Sequence, residues 1–321
     1  ARRFEAAAGL AGAAISPDGS RVVAARGDGR LSMWQTALGR LTAEVVLGTG
    51  VVKRAAFSPD GRHVGVAIAG PPGAALVDAA AGTILSTASD LPGSHRVAYL
   101  ADGTRALLPY GDRLIRWSPT GERRELRGAL WGDLDVPADG AQLWLLSRAG
   151  EVWQVVGETA TRRFEVPGAL AIAALGARAE VVVATASEVT IRDLAGRTRL
   201  TLAGVVDGAF DVAVSPDERF VVAATADGTI EVWSVADGRR VAHLRGHQAR
   251  VSWVGFAAGA LWSTGWDGVA CCWSASPSSW WGAFEPNAPP RQGASAGHRR
   301  TVKGSPAGAP GGAPRAAPRR C

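Results

Sequence analysis

The sequence repeats itself with a period of about 42 residues, and this period constrains the fold more than any other feature. The turn-forming string Ser-Pro-Asp-Gly occurs at residues 16–19 and again at 58–61. Degenerate copies follow at residues 100–103, 136–140, 176–178 and 215–218. A fixed period of roughly 40–45 residues is typical of repeats that stack side by side and bury their apolar faces against one another.

Tryptophan provides a second, independent marker of the same period. Four tryptophans each end a short apolar stretch and are separated by whole numbers of repeats: Trp34, Trp117, Trp233 and Trp273. The equivalent position holds Val77 in the second repeat and Arg192 in the fifth, and in the fourth repeat it falls on either Trp153 or Val155.

Each repeat contains four short apolar runs separated by turns. In the sixth repeat these runs are residues 211–214, 220–225, 229–233 and 240–244. Runs of this length are too short for helices, and the Pro-Asp and Asp-Gly pairs between them favour tight hairpins. The sequence therefore predicts an all-β fold, a seven-bladed β-propeller of four-stranded antiparallel blades.

The last repeat resembles the WD-repeat family most closely, through Gly246-His247 and the stretch 261–273, which ends at Trp273. In that family a hydrogen-bonded His, Ser or Thr, Asp and Trp fasten a blade. The resemblance implies a structural tetrad of His247, Ser263, Asp267 and Trp273, which satisfies a buried imidazole. Gly-His occurs once within the repeats, so the other blades match weakly. The resemblance covers about residues 1–284, which we interpret as one propeller domain.

The first residues of the chain offer a way to close the ring, which would otherwise end in unpaired strand edges. Residues 2–5 read Arg-Arg-Phe-Glu, the same four letters as residues 162–165 in an outer strand. We expect residues 2–6 to form the outer strand of blade seven. The competing candidate for that strand is the segment 280–284, Trp-Trp-Gly-Ala-Phe.

The positive charge of the chain is confined to its end. Residues 285–321 contain seven basic residues and one acidic residue, which accounts for the whole net charge of +6. This segment is rich in Pro, Gly, Ala and Arg and poor in large aliphatic residues, so we expect a disordered basic tail. The propeller region itself is neutral. Weak, salt-dependent nucleic-acid binding through the tail is one reading, and a solvated tail without that role is the other.

The motifs of catalysis and metal binding are absent from the sequence. The five histidines and three cysteines do not have the spacing of a zinc site, and no phosphate-binding Gly-rich loop occurs. A Gly-x-Ser-x-Gly string at 293–297 lies in the basic tail, without the strand and helix that a nucleophile needs. The recurrent aspartates of the Ser-Pro-Asp-Gly strings are interpreted as turn residues. We therefore expect a protein without catalytic residues, cofactor or metal.

One face of the predicted propeller offers a surface for partners. It carries the connections before each innermost strand and the turns between the second and third strands. Arginines and large aromatics, which binding hot spots favour, recur there. The candidate partner-binding residues are Arg54, Arg96, Trp131, Asp133, Asp211, Arg250 and Trp266. For Trp131 and Trp266, packing against a neighbouring blade is the alternative role.

These features favour a non-catalytic scaffold that binds other proteins. A scaffold of this kind can also be one module of a longer regulatory protein. The alternatives are a lactonase-like or periplasmic accessory propeller, which a polar cluster in the channel would favour, and nucleic-acid binding through the tail. No apolar run approaches the roughly 18–20 residues of a membrane helix, so we expect no membrane partner and a cytoplasmic location. The chain begins at Ala1 rather than at a methionine, and this expectation does not extend to any upstream segment. Arginine outnumbers lysine 33 to 2, which indicates a GC-rich, bacterial coding sequence.

Overall fold

The computed structural model describes residues 2–6, 9–205 and 208–273. The predicted tail, residues 285–321, and the competing strand 280–284 lie outside the described residues. Within them the chain forms 28 strands in seven sheets of four, each antiparallel. The predicted seven-bladed propeller of four-stranded antiparallel blades is confirmed.

The first four blades follow one another along the chain. Blade one consists of β2 (Leu10–Ile15), β3 (Arg21–Arg26), β4 (Arg30–Gln35) and β5 (Arg40–Val46). Blade two consists of β6 (Val51–Phe57), β7 (His63–Ala69), β8 (Ala74–Asp78) and β9 (Ile84–Thr87). Blade three consists of β10 (Ser94–Tyr99), β11 (Arg105–Pro109), β12 (Arg113–Trp117) and β13 (Arg123–Arg127). Blade four consists of β14 (Trp131–Asp135), β15 (Gln142–Ser147), β16 (Glu151–Val156) and β17 (Thr159–Glu165).

The last three blades complete the ring. Blade five consists of β18 (Ala169–Leu175), β19 (Glu180–Thr185), β20 (Val189–Asp193) and β21 (Thr198–Leu202), with a 3₁₀ turn at Gly176–Arg178. Blade six consists of β22 (Ala209–Val214), β23 (Phe220–Thr225), β24 (Thr229–Ser234) and β25 (Arg240–Arg245). Blade seven consists of β26 (Val251–Ala257), β27 (Ala260–Gly265), β28 (Val269–Trp273) and β1 (Arg2–Glu5).

The N-terminal strand closes the ring as the sequence predicts. β1 pairs with β28 in antiparallel register, from Arg2 opposite Cys272 to Glu5 opposite Val269. Phe4 on β1 is 2% exposed, and its ring centroid lies 5.8 Å from that of Trp262 and 6.2 Å from that of Trp34. The first and last segments of the propeller are therefore joined by both a strand ladder and an aromatic cluster.

The hydrophobic core lies between the blades because the second strand of each blade is covered on both faces. Every residue of β23 is buried, whereas every residue of the outer strand β9 is exposed. Buried side chains of blades one and two form one continuous cluster, and those of blades five and six form another. No helix among the described residues is long and apolar enough to cross a bilayer.

The recurrent aspartates hold the turns between the first and second strands. Asp18 accepts hydrogen bonds from the Ser16 hydroxyl (2.5 Å) and from the backbone N–H of Ser20 (3.0 Å). The hydrogen bond from Ser16, followed by those from Ser20, lowers the pKa of Asp18 to about 2. Asp60, Asp102, Asp139 and Asp217 each accept the corresponding backbone N–H. This contact explains why Ser-Pro-Asp-Gly marks the period.

Candidate functional site

Each of the seven innermost strands contains a β-bulge near its beginning, after two paired residues in β6 and after one in the other six strands. The extra residues are Ala11, Lys53, His95, Gly132, Leu170, Phe210 and Ser252. We call this end of the propeller the bulge face. It also carries the turns between second and third strands, at residues 27–29, 70–73, 110–112, 148–150, 186–188, 226–228 and 266–268.

The residues directly after the bulges include the charged groups of the central channel, a cavity of about 580 Å³. Arg54 from blade two reaches Asp211 in blade six, with 2.7 Å between Nη2 and Oδ1. Arg54 Nη1 also donates hydrogen bonds to the carbonyl oxygens of Ala11 (3.0 Å) and Ser252 (3.2 Å). Gly12 leaves room for this side chain, because a Cβ there would lie 2.8 Å from Arg54 Nη1.

The channel aspartates connect neighbouring blades. Asp133 pairs with Arg96 and accepts the backbone N–H of Ile172 in blade five (3.1 Å). Asp211 accepts the N–H of Val254 in blade seven (3.0 Å) in the same way. The four predicted site residues Arg54, Arg96, Asp133 and Asp211 therefore satisfy one another and the backbone inside the channel.

Asp135 is a further carboxyl group of the channel, and it was not among the residues predicted from the sequence. It accepts the backbone N–H of Ala174 at 2.8 Å. Burial raises the pKa of Asp135 to about 7, although that hydrogen bond opposes the shift. Asp135 follows Asp133 by two residues and therefore lies on the same side of β14. This spacing is the sequence signal that could have predicted Asp135 as a channel residue.

Trp131 lies inside the propeller rather than on the rim. It is 1% exposed and packs edge-on against Trp153, with 5.9 Å between ring centroids. Its neighbours include buried leucines of blades three and four. The structure thus gives Trp131 the alternative role, packing between blades.

Arg250 and Trp266 lie together on the surface of the bulge face. The Arg250 guanidinium carbon is 3.6 Å from the ring centroid of Phe210 and 5.1 Å from that of Trp266. Trp266 is 60% exposed. The cation therefore stacks on Phe210 and helps to hold the exposed indole in place.

Further apolar side chains are exposed around the same mouth. Leu130 in blade four is 59% exposed, and Tyr110 in blade three and Leu170 in blade five are also exposed. Tyr110 stacks on His95, a bulge residue, at 5.2 Å. Burial, followed by the nearby charge of Arg96, lowers the pKa of His95 to about 4, so this ring is neutral at physiological pH. Tyr110, Leu130 and Leu170 were not predicted from the sequence.

The residues of the implied tetrad contact one another in one chain of hydrogen bonds. Trp273 Nε1 donates to the Ser263 hydroxyl (2.9 Å), which lies 2.8 Å from His247 Nε2. His247 Nδ1 lies 3.1 Å from each carboxylate oxygen of Asp267. Burial raises the pKa of Asp267, but the hydrogen bond from His247 and others outweigh it, so the pKa is lowered. This network joins the bulge-face turn 266–268 to the interior of blade seven.

Groups typical of metal catalysis are absent from the described part of the chain. No cluster of three or more His, Cys, Asp or Glu side chains with the geometry to hold a metal ion occurs there. Cys271 is buried and Cys272 half-buried, at adjacent positions of β28.

A protein-family model described as WD domain, G-beta repeat, matches residues 199–234. The match begins in β21, the outer strand of blade five, and ends at β24, the third strand of blade six. No curated protein matches the chain. The match and the seven blades together identify a WD40 repeat domain that forms a seven-bladed β-propeller. Propellers of this family typically serve as protein-interaction scaffolds and are generally non-catalytic.

Proposed function

We propose that this protein is a non-catalytic scaffold that binds other proteins on the bulge face. The observation that carries the proposal is Trp266, a large aromatic side chain that is exposed yet held against Arg250. Aromatic and arginine side chains dominate binding hot spots because they bury a large area. An indole that is already ordered also loses little conformational freedom on binding.

The surroundings of Trp266 support the same surface. Leu130, Leu170 and Tyr110 expose apolar area around the same channel mouth. Pairing fixes their backbones: Leu170 is the bulge residue of β18, Leu130 accepts the backbone N–H of Arg148, and Tyr110 donates its backbone N–H to Gly93. A partner that covers the mouth would bury these side chains together with Trp266.

A matched pair of leucines tests the proposal. Leu130 is 59% exposed on the bulge face, and Leu38 is 69% exposed in the turn between β4 and β5, on the opposite face. Affinity capture from the source cell is carried out with the wild type, Trp266→Ala, Leu130→Ser and Leu38→Ser. We expect the first two variants to lose partners that the wild type and Leu38→Ser retain. Identical partners for all four proteins would contradict the proposal.

The channel provides the observation that favours the second candidate, a lactonase-like or accessory propeller. Buried arginines and aspartates line it, as a polar reaction site requires. These groups are, however, engaged with one another and with backbone N–H groups. Hydrolysis of simple lactones by the wild type, abolished in Asp133→Asn, would support the second candidate over the first.

Nucleic-acid binding through the tail stays a separate hypothesis, because residues 285–321 lie outside the described residues. It predicts a salt-dependent gel shift that is lost when those residues are deleted.

A further inference from the structure

Three basic side chains border the mouth of the channel without an ion pair in the described ranges. Lys53 is the bulge residue of blade two, and Arg250 precedes β26 in blade seven. Arg148 begins the turn between β15 and β16, and its Cγ lies 3.5 Å from where a Cβ of Gly132, the blade-four bulge residue, would stand. The arginines deeper in the channel are already neutralised by aspartates. The mouth therefore carries an uncompensated positive charge.

The acidic residues of the bulge face do not neutralise these three cations. Asp28 pairs with Arg26 at 2.6 Å, and Asp267 accepts from His247. Asp112 lies 3.8 Å from Arg127, and Asp227 accepts hydrogen bonds from Thr225 and Thr229. Glu188 belongs to the turn of blade five, which contributes none of the three cations.

Apolar side chains alternate with the three cations around the mouth. In blade order the sequence is Lys53, Tyr110, Leu130 with Arg148, Leu170, Phe210, and Arg250 with Trp266. In addition, Arg250 Nε is buried and has no acceptor within the described residues. A ligand that fits this ring presents carboxylates and apolar groups in alternation.

We propose, building on the proposed function, that the bulge face recognises an acidic segment of its partner protein. In this segment Asp or Glu side chains contact Arg250, Arg148 and Lys53. Neighbouring apolar side chains pack on Trp266, Leu130 and Leu170.

The observations favour this ligand over two others. A nucleic acid would need a continuous basic track along its backbone, whereas apolar side chains separate the three cations here. The chain's own terminal segment, residues 285–321, carries seven basic residues and one acidic residue, so it has the wrong charge for this mouth.

Selection from a random dodecapeptide library displayed on phage tests the inference. The wild type, Arg148→Glu, Lys53→Glu and the control Arg62→Glu are immobilised in parallel. Arg62 is an exposed base in the turn between β6 and β7, on the opposite face. We expect the wild type and Arg62→Glu to enrich peptides that combine several Asp or Glu residues with Trp, Phe or Leu. Arg148→Glu and Lys53→Glu should each bind a selected peptide about tenfold more weakly in fluorescence anisotropy, because like charges then face each other.

Two controls keep the result interpretable. Thermal melts confirm that each variant is folded, and Arg148→Gln, which removes the charge at an exposed position without reversing it, should weaken binding less than Arg148→Glu. Enrichment of neutral or basic peptides, recovery of no peptide, or binding of a dT20 oligonucleotide instead would each overturn the inference. Neutral peptides whose binding is lost in Trp266→Ala and Leu130→Ser would do so while leaving the proposed function intact.

Discussion

The buried ion pair between Arg54 and Asp211 gives a sharp test of how the channel is held together. Both residues are buried, and their atoms Nη2 and Oδ1 are 2.7 Å apart. In Asp211→Asn the Arg54 cation loses its partner, while the amide oxygen can still accept the Val254 N–H. Removing one member of a buried pair costs about 3–5 kcal/mol. Because the charge of Arg96 disfavours the Arg54 cation more than that of Asp133 favours it, we expect a loss of at least about 3 kcal/mol.

Differential scanning calorimetry measures the effect. For a domain of this size the loss corresponds to a Tm lower by about 6–12 °C. The matched control is Arg197→Met, which breaks the Arg197–Asp193 pair of similar length, 2.8 Å, at a side chain that is 83% exposed. This control should cost less than about 1 kcal/mol. Equal shifts for Asp211→Asn and Arg197→Met would refute the reasoning.

A double variant separates the orphaned charge from the lost contact. Arg54→Met combined with Asp211→Asn leaves no unpaired cation in the channel, so it should melt at a higher temperature than Asp211→Asn alone. A lower melting temperature for the double variant would show that Arg54 acts mainly through its hydrogen bonds to Ala11 and Ser252.

Two further predictions concern the channel acid and the closure of the ring. Asp135 retains its proton in the folded chain up to a pH of about 7, whereas the reference pKa is 3.8, so its contribution to stability falls as the pH rises between those values. Asp135→Asn, which cannot ionise, should therefore raise the Tm at pH 8 and leave it unchanged at pH 4; a difference that does not vary with pH would contradict this. Phe4→Ala, which removes a buried ring from β1, should lower the free energy of unfolding by about 3–5 kcal/mol in a urea titration, whereas Glu5→Ala, at an exposed position of the same strand, should lower it much less. Similar losses for the two variants would show that Phe4 does not secure the closure.

The fold could be predicted from the sequence because the Ser-Pro-Asp-Gly turns and the tryptophans that mark the period recur at equivalent positions of the blades. In blade one, Trp34 lies opposite Val22 of the second strand. The equivalent pairs are Val77 opposite Val64 in blade two and Arg192 opposite Val181 in blade five, so both residues occupy the tryptophan position. In blade four that position belongs to Val155, which resolves the ambiguity with Trp153. The tryptophan is dispensable at single blades because other side chains can fill the space. Arg192, for example, hydrogen-bonds to Thr190 and to the carbonyl of Gly196.

The candidate site was harder to predict because a bulge changes the direction of the side chains by one position. Arg54 and Lys53 are adjacent in sequence, yet Arg54 enters the channel while Lys53 is the inserted residue. The same single step separates Asp211 in the channel from Phe210 under Arg250. A period of about 42 residues locates each blade, but it does not reveal which residue of a strand is the inserted one. The exposure of Leu130 and Leu170 could not be predicted, because an isolated leucine beside a strand has the same sequence pattern as a core residue.

The bulge face as the binding surface is tested most directly by amide hydrogen exchange of the propeller with and without a captured partner. We predict that the partner slows exchange in the turns 110–112, 148–150 and 266–268 and leaves the turns 36–39 and 79–83 on the opposite face unchanged. Protection confined to the opposite face, or to outer strands such as β9, would contradict the account.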